Sequence, residues 1–313
     1  MKTVLITGGA GFIGSNFCQY FLQTKKTDRI IVVDALTYAG NLENLKTLES
    51  SSQYTFIKAS ICDQEAMESI FKENKIDTVV HFAAESHVDR SIKNSQVFIE
   101  TNVLGTQVLL ECAKRYQCQK FIHVSTDEVY GSLGETGEFT EENSLQPNSP
   151  YAASKAASDL LVRSYFQTFE FPVIITRCSN NYGPYQFPEK LIPLMITNIL
   201  NQKKLPIYGT GNNVRDWLYV EDHCDAILSI LDHGKIGEVY NIGGGTEMSN
   251  IELVKFLIQS LNANESLIEF VPDRLGHDFR YAINFDKLNK DLGWTPKTTF
   301  KEGLEKNDKV VCK

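Results

Sequence analysis

The 313-residue sequence predicts a doubly wound α/β fold, a mostly parallel sheet with helices on both faces, followed by a smaller C-terminal α/β lobe. Three observations carry that expectation. Short β-branched runs alternate with longer amphipathic segments through more than half of the chain. The runs are apolar at nearly every position rather than at alternate ones, and a strand apolar on both faces has to be covered on both. A glycine-rich turn directly follows the first run, where such sheets bind ligands.

The strands expected in order are 3–7, 29–34, 54–58, 78–83, 120–125 and 173–177. Between them, apolar residues recur at three and four positions over 15–25, 64–73, 98–116 and 152–169, the signature of helices packed by one face. After Arg177 the rhythm changes, and 178–188 is rich in Asn, Tyr, Gly and Pro, which marks a loop suited to binding. Beyond it the pattern predicts helices over 190–200, 220–231, 251–261 and 285–292, strands over 239–242 and 267–271, and a loop over 209–215. The expected division is a domain over 1–178, with segments near 214–245 returning to it, and a lobe over 179–313.

Composition narrows the function classes. A net charge of −8 argues against nucleic acid or an anionic membrane as the main partner, yet leaves room for a small anionic ligand held by a few local cations. No apolar run approaches the roughly 20 residues that cross a bilayer. The seven cysteines, Cys18, Cys62, Cys112, Cys118, Cys178, Cys224 and Cys312, show neither CxxC pairs nor zinc-like spacing. They read as thiols in a reducing cytoplasm, with no metal site.

The turn Gly8-Gly9-Ala10-Gly11-Phe12-Ile13-Gly14 can be read as GxGxxG from Gly9 or GxxGxxG from Gly8. Either reading serves the same needs: a tight turn, close approach of backbone to a pyrophosphate, and a helix N-terminus aimed at the phosphates. Asp34 follows at the end of the second strand, at the spacing of a dinucleotide (Rossmann) fingerprint. Its carboxylate would accept from ribose hydroxyls and repel a 2′-phosphate, so the expected cofactor is NAD.

Tyr151 and Lys155 stand four apart just after Pro150, on one face of a predicted helix. An ammonium beside a phenol favours the phenolate and can make a base at neutral pH. Such pairs also occur on solvated helices; the glycine turn upstream is what favours chemistry. The strand over 120–125 runs into Thr126-Asp127-Glu128, at the carboxyl edge where parallel sheets bind ligands. Adjacent acids there can divide into acid and base if their environments separate their pKa values. The alternative is a solvated acidic turn.

Together these residues resemble the extended short-chain dehydrogenase/reductase superfamily and, within it, the dTDP-glucose 4,6-dehydratases. The likeness spans nearly the whole chain: ITGGAGFIG at 6–14, HFAAESHVDRSI at 81–92, STDEVYG at 125–131, SPYAASKAASD at 149–159, RCSNNYGPYQFPEKLIP at 177–193, RDWLYVEDH at 215–223 and DRLGHDFRY at 273–281. The resemblance implies a dehydration of dTDP-glucose without net redox change, in deoxysugar (for example rhamnose) biosynthesis. Tyr151 would be the base at the sugar 4-hydroxyl, positioned by Thr126, with Glu128 the base at C5 and Asp127 the acid at the departing 6-hydroxyl. By the same resemblance, Gly8, Gly11, Phe12, Ile13, Gly14, Asp34, Leu36, Thr37, Ser60, Ile61, Ala83, Ala84, Thr101, Tyr151, Lys155 and Asn181 match cofactor positions. Ser86, Thr126, Asn180, Lys190, Leu191, Pro206, Ile207, Tyr208, Arg215, Asn250, Arg274 and His277 match nucleotide-sugar positions. His87 and Arg90 read as supporting residues. The helices around 98–116 and 152–169 would pair with those of a second subunit in a homodimer.

One position departs from the family pattern. Ser60-Ile61 stands where Asp-Ile is usual, so the contact near the adenine amino group carries no charge. Two enzymatic alternatives share most of these motifs. Asp127 and Glu128 count against a UDP-hexose 4-epimerase, while a UDP-glucose 4,6-dehydratase differs by the discrimination of a single thymine methyl. A non-catalytic NAD-sensing module would need neither the Tyr–Lys pair nor the paired acids.

Overall fold

The computed structural model describes residues 2–311. Its first six strands are β1 (Thr3–Thr7), β2 (Arg29–Asp34), β3 (Tyr54–Lys58), β4 (Thr78–His81), β5 (Lys120–Thr126) and β6 (Val173–Cys178). Then follow β7 (Asn180–Tyr182), β8 (Leu205–Tyr208), β9 (Val214–Tyr219), β10 (Val239–Ile242), β11 (Glu247–Ser249) and β12 (Ile268–Val271). Seven of them form one parallel sheet in the order β10-β6-β5-β4-β1-β2-β3. The order reverses beside β1, whose neighbours are β2 and β4, and this opens a crevice at the carboxyl ends of β1 and β4. The fold is the doubly wound α/β architecture expected from the sequence.

Helices cover both faces. They are α1 (Phe12–Thr24), α2 (Gln64–Asn74), α3 (Val88–Lys93), α4 (Gln96–Phe98), α5 (Thr106–Arg115), α6 (Pro150–Phe169), α7 (Leu191–Leu200), α8 (Val220–His233), α9 (Asn250–Ser260), α10 (Asp286–Leu292) and α11 (Phe300–Val311). Alternate side chains of each strand enter opposite cores, as a period of two requires. Val4 and Ile6 of β1 join Phe17 and Phe21 of α1 and Ile227 of α8. Leu5 enters the other core with Phe71 of α2, Leu109 of α5 and Val162 of α6. Removing a fully buried ring such as Phe17 would cost about 3–5 kcal/mol. A third core, around Tyr182, Met195, Trp217, Leu253 and Phe300, underlies the C-terminal segments.

Several expectations need correction. The single helix expected over 98–116 is interrupted by a π-helical turn at Ile99–Gly105. There the Asn102 side chain pairs with both backbone groups of Glu85, accepting from its N–H at 2.8 Å and donating to its C=O at 3.0 Å. That wide turn ties the helix to the loop after β4, a tertiary demand invisible to periodicity. The loop expected over 209–215 ends inside β9, which forms a three-stranded sheet, β11-β9-β7, while β8 pairs with β12. β7, β8 and β11 have only three or four residues each and give no period to detect. β10 lies at the edge of the main sheet, and α3 and α11 add two helices that the sequence reading did not anticipate.

Six cysteines are free thiols, and Cys312 lies outside the described residues. Among the described residues, no helix is long and apolar enough to cross a membrane.

Candidate active site

The glycine turn is shaped by what no side chain could fit. Gly8 has φ +71°, and a Cβ there would lie 2.6 Å from the Ala83 backbone at the end of β4. A Cβ on Gly14 would collide with the Gly8 carbonyl, so α1 packs directly against the turn. Gly11 precedes α1 with no side-chain cap, leaving the first-turn amides to a ligand. Asp34, at the end of β2, accepts from the amides of Ala10 at 2.9 Å and Leu36 at 2.8 Å, so it braces the glycine turn as well as facing the crevice. Burial raises its pKa and those amide bonds oppose the rise.

These residues line a cavity of about 330 Å³ at the sheet's switch point. Every residue matched to the cofactor lines it except Leu36, which turns through a positive φ of 53° and packs its side chain on the core. Thr101 reaches the cavity from the π-helical turn, and Ser60 from the end of β3. The Ser60 hydroxyl accepts from the Cys62 amide at 3.2 Å.

Tyr151 and Lys155 enter the same cavity from α6, whose first turn is set by Pro150 and by the Ser149 hydroxyl accepting from the Ala152 amide at 3.1 Å. Lys155 donates to the Val124 carbonyl at 2.8 Å. Burial lowers its pKa to about 8, against the opposing pull of Asp159 and Cys178. Behind it, Asp159 accepts from Arg177 at 2.9 Å and lies 3.3 Å from His123. Tyr151 differs from the sequence-based expectation of a phenol eased towards phenolate by the lysine. Burial and the Glu128 carboxylate push its pKa well up, and the Thr126 hydroxyl is the group that opposes them.

The two acids sit in different surroundings. Asp127 is 2% exposed, with one carboxyl oxygen 3.2 Å from the Thr126 hydroxyl and the other buried without a partner. Burial, then the charges of Glu128 and Asp216, push it well above the carboxylate range. Burial also raises Glu128, but Lys190, Arg215 and Arg274 pull it back down. Burial thus raises both acids, further at Asp127, while three cations oppose the rise at Glu128, a difference of environment of the kind that can divide an acid from a base.

A second cavity, of about 370 Å³, adjoins the first and shares Glu128, Asn180, Asn181, Gln186 and Lys190 with it. The residues matched to the nucleotide sugar line this second cavity, apart from Ser86 and Thr126, which line the first. Its cations come from separate segments. Lys190, just before α7, donates to the Ser86 carbonyl at 3.2 Å. Arg215 on β9 donates to the Asp278 carbonyl at 3.0 Å and stacks 4.4 Å over Tyr281. Arg274 keeps its Nε buried without a partner, 3.6 Å separating its head from Asp89. His277 is braced by Asp273 at 2.7 Å. Such a set suits a diphosphate.

His87 and Arg90 stand outside the first cavity, where Arg90 clasps Glu189 at 3.0 and 3.1 Å and lies 4.0 Å over the Tyr38 ring. Other lining residues went unsingled in the sequence: Tyr38, Glu85, Ser125, Ser179, Gln186 and Phe187. The hydroxyls of Ser125 and Ser179 are buried without partners. Position at the ends of β5 and β6 was the only signal that could have found those two serines.

Comparison with known proteins bears on this geometry. Residues 5–307 match the family model described as GDP-mannose 4,6 dehydratase. A dTDP-glucose 4,6-dehydratase of Xanthomonas campestris pv. campestris (strain B100) is 50% identical over 322 residues, covering 97% of this chain and 91% of that one. The crystal structure of DesIV, a dTDP-glucose 4,6-dehydratase from Streptomyces venezuelae with NAD and TYD bound, superposes with a TM-score of 0.96. It is 49% identical and covers 98% of this chain and 96% of that chain. A UDP-glucose 4-epimerase from Thermotoga maritima, solved with UDP-glucose, shares the fold at a TM-score of 0.91 and 30% identity, covering 98% of each chain.

Proposed function

The chain belongs to the family described as GDP-mannose 4,6 dehydratase, and within it to the dTDP-glucose 4,6-dehydratases; from that premise we propose that its activity is the NAD-dependent dehydration of dTDP-glucose to the 4-keto-6-deoxy sugar nucleotide. It is a carbon–oxygen lyase. The observation that carries the reading is the acid pair Asp127–Glu128 at the junction of a dinucleotide cavity and a cation-lined one.

The cavity fits NAD on its own terms. The turn at Gly8 and Gly14 leaves no room for side chains, the α1 amides stand uncapped, and Asp34 lines the wall. Bound NAD would supply a hydride acceptor at C4 and return the hydride at C6, so that the net change is loss of water. Tyr151 takes the proton of the sugar 4-hydroxyl, with the Thr126 hydroxyl, which opposes the rise in the phenol's pKa, holding that oxygen and the Lys155 ammonium standing four residues along the same helix. Once C4 is a ketone the C5 proton is acidic; Glu128 removes it and gives it back to C5 when the hydride returns to C6, and the proton taken from the 4-hydroxyl makes good the one that leaves with the water. Asp127 delivers its proton to the 6-hydroxyl as water leaves. Arg215, Arg274 and Lys190 hold the diphosphate, and the walls around them fix the sugar against the cofactor.

The protein works as a homodimer in the cytoplasm. In support, Ile99, Leu104, Leu160 and Phe169, each at least half exposed, lie on the segments around 98–116 and 152–169. A monomeric mass by analytical ultracentrifugation would contradict the dimer.

The activity is tested by incubating the protein with dTDP-glucose and NAD and developing the alkaline absorbance of a 4-keto-6-deoxy sugar. Product from dTDP-glucose, exceeding that from UDP-glucose, is the expected result. Absence of product from either would overturn the reading.

A further inference from the structure

Gln186 occupies a strained turn between β7 and α7. Gly183 has φ +145°, and Tyr185, though not glycine, has φ +67°. A side chain held by such a backbone is aimed by the fold rather than by its own preference. The Gln186 amide nitrogen donates to the Asn181 carbonyl at 2.9 Å, which fixes the nitrogen end of the side chain. The oxygen end is buried and has no partner. A buried acceptor left unpaired is costly unless a ligand completes it.

Among the described residues, Gln186 is one of five that line both cavities. Two others, Asn180 and Asn181, neighbour it on β7, and the remaining pair are Glu128 and Lys190. A group at that junction lies between the dinucleotide and the diphosphate cations, which is where the hexose must sit. On the reading above, which this step presupposes, the 4-hydroxyl is engaged by Tyr151 and the 6-hydroxyl by Asp127. The donors left on the hexose are the 2- and 3-hydroxyls.

We infer that Gln186 is a substrate-binding, specificity-determining residue whose Oε1 accepts a hydrogen bond from the 2- or 3-hydroxyl of the hexose. A site that completes a buried acceptor with a substrate hydroxyl rejects the analogue lacking it, since the acceptor is then left bare. The nicotinamide carboxamide offers the competing N–H donor, and the test separates the two.

The experiment compares native enzyme and Gln186→Met on dTDP-glucose, dTDP-2-deoxyglucose and dTDP-3-deoxyglucose, with NAD affinity measured in parallel. Native enzyme should lose about tenfold to a hundredfold in kcat/KM on one deoxy analogue. Gln186→Met should lose a similar factor on dTDP-glucose, lose nothing further on that same analogue, and bind NAD as the native enzyme does. Equal kcat/KM of the native enzyme on all three substrates would overturn the inference without any variant. So would an equal loss by Gln186→Met on all three, or weakened NAD binding with substrate preference unmoved. Failure of the native enzyme to turn over dTDP-glucose would instead strike the assigned activity.

Discussion

On the cofactor side of the cleft, the walls are largely backbone and short side chains at the ends of consecutive strands, whereas on the sugar-nucleotide side they are the tips of long side chains from segments spread between Lys190 and His277. The first wall depends on the absence of Cβ atoms at Gly8 and Gly14 and on Asp34 accepting two amides. The second depends on charge, each cation braced separately by a carbonyl, ring or carboxylate. A wall of backbone is lost whole when one position is filled. A wall of side chains weakens one contact at a time.

Gly8→Val breaks the comparison most directly. A branched side chain at φ +71°, against the Ala83 backbone, costs about 4–5 kcal/mol or more. NAD affinity should fall by about a thousandfold or beyond recovery, as isothermal titration would register. A merely several-fold loss would mean that this wall is adaptable. Arg274→Ala is the counterpart on the other wall. KM for dTDP-glucose should rise about tenfold to a hundredfold, the scale of a charge-assisted hydrogen bond, with NAD affinity unchanged. Coupled loss of both affinities would show that the walls are not independent.

Where the walls meet, pH separates them. In the proposed mechanism Glu128 acts ionised, and burial raises its pKa, so the acid limb of kcat should lie above the ordinary carboxylate range. In that mechanism Lys155 acts as an ammonium, and burial lowers its pKa to about 8, so activity should fall as pH rises through that value. A pH profile of kcat flat from 7 to about 9 would contradict that role for Lys155. The smallest effect expected is that of Ser60→Asp, which should tighten NAD binding by only a few-fold, about the worth of one exposed charged contact. Equal dissociation constants would remove Ser60 from the account of cofactor affinity.

The same contrast explains what could be read in the sequence. The parallel sheet, the glycine turn, Asp34 and the Tyr151–Lys155 spacing are local patterns, and six apolar runs with a period change between them suffice to place them. The sugar-nucleotide wall hangs on β7, β8, β9 and β11, strands of three to six residues whose pairing is non-local. Arg215 and Arg274 were therefore reachable only through the family resemblance. The π-helical turn at Ile99–Gly105 answers a demand from Glu85, on a separate segment, that no helical window of sequence displays. The pKa of Tyr151 shows a further limit. Spacing put the lysine on its face, but burial and Glu128 dominate its surroundings.

The central claim is that Asp127 and Glu128, adjacent in sequence but opposed in environment, turn an oxidation at a sugar hydroxyl into a dehydration. Glu128→Gln with dTDP-glucose and bound NAD, followed by rapid mixing, tests it. Reduced nicotinamide should accumulate to nearly one equivalent per site while 4-keto-6-deoxy product stays at least about a hundredfold below the native rate. Native turnover without that accumulation would contradict the assignment of Glu128 as the base.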